Sequence, residues 1–140
     1  MNNKIEKFLG WPFYQVNLPD EERIICLYCK DGTEPDLLLY DSNHNIFRLD
    51  KTGKIIWQVQ RDEQGKVNWE AAHEIERARG KDGERRPFGE LHVMTDQGES
   101  THSKTWLPGL VLRALSNGIY EVDIETGIAK NVTPTPWKNW

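Results

Sequence analysis

The chain has 140 residues, 37% apolar and 29% charged, with a formal net charge of −4 at neutral pH. That length suits one domain, and six Trp among 10% aromatics favour a packed core over a disordered chain. No apolar run approaches the roughly 18 residues of a spanning helix, the N-terminus lacks the apolar region of a secretory signal, and the mild acidity argues against nucleic acid as the main ligand.

A cytoplasmic protein is therefore expected. Read in chain order, Arg23-Ile-Ile-Cys-Leu-Tyr-Cys29 is a β-branched and aromatic run closed by the turn signal Lys30-Asp-Gly32. Leu37-Leu-Leu-Tyr40 is predicted as a further strand and Asp41-Ser-Asn-His-Asn45 as a polar turn. Ile46-Phe-Arg-Leu49 and Lys54-Ile-Ile-Trp-Gln-Val59 then form a hairpin about Asp50-Lys-Thr-Gly53. Asp can bond backbone amides two residues on, and Gly accepts the positive φ that closes such a turn.

The stretch 61–104 packs eight basic and ten acidic side chains, and its organisation is that of a charged segment inserted between two β regions of one domain spanning 1–140. Within it, Asn68 is a predicted N-cap, Trp69–Arg79 a helix and Gly80 its left-handed end. Glu70 stands near the positive end of that helix, and Arg77 and Arg79 near the negative end. Glu90-Leu-His-Val-Met94 is predicted as a strand.

A second hairpin follows. Leu110–Asp123 can be laid over Leu37–Asp50, so that Phe47 and Leu49 match Tyr120 and Val122 on one face, and Arg48 matches Glu121 on the other. Its turn, Asp123-Ile-Glu-Thr-Gly127, is one residue longer but keeps Asp at its start and Thr-Gly at its end. The expectation is that the shared face of both hairpins feeds one core. Ile46-Phe-Arg-Leu-Asp-Lys-Thr-Gly-Lys-Ile-Ile-Trp57 resembles the repeats of pyrroloquinoline-quinone-type β-propellers. The second copy keeps Ile119-Tyr-Glu-Val-Asp and Thr126-Gly but has Lys130 or Asn131 in place of Trp. The resemblance implies hairpin geometry only, since a propeller needs at least about four blades of about 40 residues.

Several catalytic and metal motifs come close and fail. Cys26-Leu-Tyr-Cys29 has the spacing of zinc and redox pairs but lacks a second Cys pair and a helix N-terminus. One buried and one less buried thiol is the expectation, with ligation by His92 or His102 as the alternative. His73-Glu-Ile-Glu-Arg77 has Arg where a zinc protease needs its second His. Asp41–Asn45 begins like a calcium loop, yet Ile46 takes the Gly position and Thr52 the Glu position. No Walker loop or nucleophile elbow occurs, so no metal, cofactor or catalytic residue is assigned. The basic cluster Arg77–Arg86 is interleaved with acids that cancel it.

Trp57 and Trp69 are predicted core residues. Trp137 and Trp140, in a tail held extended by prolines, cap an open sheet edge or serve as a sticky arm for a partner.

The fold expected is mainly β with some α: an antiparallel curved sheet, sandwich or small barrel with one short helix. The function expected is a non-catalytic protein-binding module. In size, acidity and build it resembles the immunity-type inhibitors of bacterial toxins. Asp62, Glu63, Glu70, Glu74 and Glu76 would supply the negative potential that steers a basic toxin domain. The alternative is a small-molecule-binding β-barrel or an unrecognised hydrolase, with a cavity touching Trp57, Tyr120 or His92.

Overall fold

In the computed structural model, which describes residues 6–62, 87–116 and 118–133, the β-branched and aromatic runs pair into two sheets facing across a shared core. The first sheet holds β1 (Phe13–Asn17), β2 (Arg23–Leu27), β3 (Ile46–Leu49) and β4 (Ile55–Gln58), antiparallel and in sequence order. The second holds β5 (Gln60–Asp62), β6 (Glu90–Met94), β7 (Val111–Leu115), β8 (Ile119–Val122) and β9 (Ile128–Asn131), in the order β5-β9-β8-β7-β6. Within it only the β5–β9 pairing is parallel. The protein is mainly β, and the strands form two sheets rather than a closed barrel. Arg61–Asp62 of β5 and the whole of β6 fall within the charged stretch 61–104, so its described strands belong to the second sheet. The predicted helix Trp69–Arg79 lies outside the described residues.

One side of the body is closed by the chain itself. β4 runs into β5 through Val59, whose amide donates to Ile46, while the amide of Gln60 donates to Gly127 in the other sheet. A single extended segment thus leaves the first sheet and joins the second, much as a corner strand does in a β-barrel. Val16, Ile24, Cys26, Ile46, Trp57 and Val59 meet Val93, Leu112, Ala114, Tyr120, Val122 and Ala129 in the shared core.

The two hairpins take the predicted turns. Asp50 Oδ1 accepts from the amides of Thr52 (2.8 Å) and Lys54 (3.0 Å) and from the Thr52 hydroxyl (2.6 Å), and Gly53 adopts φ +90°. Asp123 Oδ1 accepts from the amides of Glu125 and Thr126 at 2.8 and 3.1 Å. The expectation of one shared hairpin face is corrected. Tyr120 and Val122 face the main core, whereas Phe47 and Leu49 turn to the outer face of their sheet. There they build a second cluster with Ile25 and Leu27, covered by Phe8, Trp11, Phe13 and Leu37. Ile46 supplies the inward side chain of β3. The inward face of β3 pairs Ile46 with Arg48, opposite Ile24 and Trp57, so alternation made the wholly apolar Phe47–Leu49 face read as the core side.

Leu37–Tyr40 is corrected as well: it enters a short helix, α1 (Leu39–Asn43), instead of a strand. The polar stretch after it is a buried corner, not a solvated turn. Ser42, Asn43, His44 and Asn45 are all buried. Asn45 Nδ2 donates to the carbonyls of Leu27 and Phe88, both at 2.9 Å, and its Oδ1 accepts the Phe88 amide at 2.9 Å. This one amide side chain therefore fixes the chain where it enters β6. Arg61 lies beside it, its guanidinium 4.0 Å from the Phe88 ring centroid and hydrogen-bonded to the Asn43 carbonyl and Ser116 hydroxyl.

The hairpins lock at the sheet margin. Trp57 Nε1 donates to the Ile124 carbonyl at 2.8 Å, Arg48 reaches the same carbonyl at 2.9 Å, and Arg48 also pairs with Glu22. An added Cβ on Gly127 (φ +76°) would lie 2.5 Å from the Trp57 ring, so the second turn can seat on the indole only without a side chain.

Candidate functional site

Opposite the β4–β5 corner the two sheets do not join. β1 and β6, the edge strands there, border an open groove of about 750 Å3 that also takes in Glu6, Tyr28, Ser103 and Lys104. Its physical character follows from β1. Main-chain groups in an antiparallel edge strand alternate between the neighbour and open space. Tyr28 donates to the Pro12 carbonyl and Leu18 to Glu22, so even-numbered positions of β1 bond to β2. The odd positions point out. Asn17 is satisfied there, its amide donating to Lys104 at 2.7 Å and its carbonyl accepting from Trp106 at 2.8 Å. The main-chain groups of Phe13 and Gln15 face the groove with no partner among the described residues.

The side chains make this edge unusual. Phe-Tyr-Gln-Val-Asn carries no charge and no proline within the strand, whereas exposed edges are ordinarily protected by lysine, proline or a bulge. Tyr14 shares the inward face with Val16, yet it is 48% exposed because the second sheet does not reach over it. Its ring stacks on Tyr28 at 4.4 Å between centroids. On the outer face, Arg23 joins Glu6 at 2.7 Å and Gln15 Oε1 at 3.1 Å, so the Gln15 side chain is held beside its open backbone.

β6 is the more guarded wall. Thr101 donates to the Val93 carbonyl through both amide and hydroxyl. Glu90 and His92 pair at 2.6 Å across its outer face. Leu91 turns toward the core, leaving its main chain on the groove side by the same alternation.

The residues singled out from sequence fall elsewhere. Asp62 is exposed on β5, the far edge of the second sheet, away from the β1–β6 groove. Glu63, Glu70, Glu74, Glu76, Trp137 and Trp140 lie outside the described residues. Trp57 and Tyr120 are buried in the core, and only His92 of the cavity candidates reaches the groove. β1 itself was missed, though its alternating Phe-Tyr-Gln-Val run between Pro12 and Pro19 carries a strand signal.

The thiols and turn carboxylates are accounted for by local structure. Burial pushes the Cys26 thiol up to about 12. Cys29 is exposed, and its hydrogen bond to Glu34 raises its pKa. The Thr52 hydroxyl, followed by the Lys54 amide, holds Asp50 below the usual carboxylate range. The Thr33 hydroxyl and amide do the same for Asp31. Among the described residues no three His, Cys, Asp or Glu side chains gather to hold a metal ion, and no helix is long and apolar enough to cross a membrane. No protein-family model, curated protein or solved structure matches this chain.

Proposed function

We propose that the chain is a non-catalytic protein-binding module that receives an extended segment of a partner protein at the open seam between β1 and β6. The observation that carries this reading is the uncharged edge of β1, whose Phe13 and Gln15 main-chain groups face an open groove of about 750 Å3. Polypeptides bind such edges by main-chain hydrogen bonding, with neighbouring side-chain pockets giving selectivity.

The partner is basic in this reading. The chain carries a net charge of −4, and the groove is lined by Glu90 beside His92, by Glu6 in its ion pair with Arg23, and by one amine, Lys104. An immunity-type inhibitor of a basic toxin domain is one biological form of it, in which Asp62, Glu63, Glu70, Glu74 and Glu76 steer the approach.

Panning a displayed library of random dodecapeptides against the full chain, then mapping the recovered peptides by amide chemical shifts, tests the seam. Shifts concentrated on Phe13–Asn17 and Glu90–Val93 are expected. Recovered peptides that perturb only other surfaces, or a selection that enriches none, would overturn the seam reading.

A further inference from the structure

We infer that the incoming segment adds to β1 as a further strand of the first sheet, in line with the chain's own Lys104–Trp106, and that it presents a basic side chain to the groove. This rests on the seam reading and specifies which wall binds and what chemistry it takes. The protein already performs the first step of such an addition. Thr105 pairs with Asn17 in a parallel bridge, with main-chain hydrogen bonds on both sides of it. The chain then leaves the edge, because Thr101 is drawn off to the Val93 carbonyl. The rungs at Gln15 and Phe13 stay open beyond it, in register with the one already filled.

The alternative binding modes are weaker. β6 offers Leu91 alone, since Thr101 occupies its neighbouring outward carbonyl and Glu90 and His92 charge its outer face. A second copy of this chain would have to bring a β1 backed by its own β2, about 4.8 Å behind it, into a groove walled by β6. Charge selects the segment further. Glu90 lines the groove, as does Glu6 in its ion pair with Arg23, with Lys104 confined to the filled end near Asn17, and the stacked pair Tyr14–Tyr28 offers ring faces to a guanidinium.

Gln15 allows the main-chain claim to be isolated. Gln15→Pro removes the outward amide while sparing the β1–β2 ladder, the placement in which proline is tolerated on an edge strand. Gln15→Ala removes the same side chain and keeps the amide. The probe is the fluorescein-labelled peptide Thr-Val-Arg-Val-Arg-Val-Thr, with a counterpart carrying Glu for both Arg and another N-methylated at the central Val. Anisotropy titrations with the full chain are expected to show about tenfold weaker binding to the Gln15→Pro protein and less than about twofold change for Gln15→Ala, one charge-neutral hydrogen bond being of that order. The Glu peptide and the N-methylated peptide should each bind several-fold more weakly to the unaltered protein.

Equal affinity of the Arg peptide for the Gln15→Pro and Gln15→Ala proteins would overturn strand addition to β1. So would undiminished binding of the N-methylated peptide. Equal affinity for the Arg and Glu peptides would overturn the basic partner. In each of these cases amide shifts that still fall on the seam leave the seam reading standing; shifts that avoid it remove both. A concentration-dependent dimer abolished by Gln15→Pro in sedimentation would place a second copy on the edge and refute the inference.

Discussion

Replacing Gly127 by Ala probes the packing of one hairpin turn on the other. Gly127 has φ +76°, and an added Cβ would lie 2.5, 2.6 and 2.9 Å from Cδ2, Cε3 and Cγ of Trp57. The left-handed backbone costs a non-glycine residue about 1–2 kcal/mol, and forcing a methyl into a packed site costs about 1–3 kcal/mol more. If the indole yields, its hydrogen bond to the Ile124 carbonyl (2.8 Å) is lost, worth about 1 kcal/mol. Gly127→Ala should thus destabilise by about 3–6 kcal/mol, a large part of the roughly 5–15 kcal/mol that holds a domain folded. Gly53 is the internal control. Its φ is +90° with no atom within 4 Å of the added Cβ, so Gly53→Ala should cost only the backbone share of about 1–2 kcal/mol. Urea unfolding followed by far-UV circular dichroism measures both. Equal midpoints for the two variants would refute the claim that the second turn seats on Trp57. In a Trp57→Leu background the additional cost of Gly127→Ala should fall to that of Gly53→Ala.

Asn45→Ala should cost about 3 kcal/mol, since three buried hydrogen bonds are lost and the Phe88 backbone groups are left dry. Asn45→Asp should be worse, because a carboxylate cannot donate to the Leu27 and Phe88 carbonyls; urea midpoints give the order. Asp50 has a lowered pKa in the folded state, so its contribution is present above the unfolded carboxylate value of about 3.9 and is lost as pH falls through the lower folded value. The stability gap between the unaltered protein and Asp50→Asn should therefore narrow on acidification from about pH 6 to about pH 2, and a constant gap in urea titrations would contradict this. A maleimide reagent should label Cys29 in the native protein and reach Cys26 only after unfolding, as counted by mass spectrometry. Two labels on the folded chain would show that the first sheet does not bury Cys26.

Much of the strand content could be read from residue chemistry alone. Arg23–Leu27, Ile46–Leu49, Ile55–Gln58 and Glu90–Met94 announce themselves by β-branched and aromatic runs between turn residues. Asp50–Gly53 and Asp123–Gly127 fix their hairpins through the reach of an Asp side chain. Leu37-Leu-Leu-Tyr40 misled because a short apolar run has no periodicity, so helix and buried strand read alike. The polar residues after it owe their burial to Phe88 and Arg61, distant in sequence. The seam was not visible for a related reason: an edge is defined by what fails to pair with it. That depends on the parallel β5–β9 pairing and on Thr105 meeting Asn17, neither of which leaves a local mark. The carboxylates proposed to steer a partner were chosen by charge density, which says nothing of where a groove opens.

Amide hydrogen exchange of the unliganded protein, resolved by residue, tests the open edge most directly. The amides of Tyr14 and Val16, bonded to β2, should exchange orders of magnitude more slowly than those of Phe13 and Gln15 on the same strand. Protection of Gln15 equal to that of Val16 would mean that β1 is already covered, and the proposed binding seam would be closed.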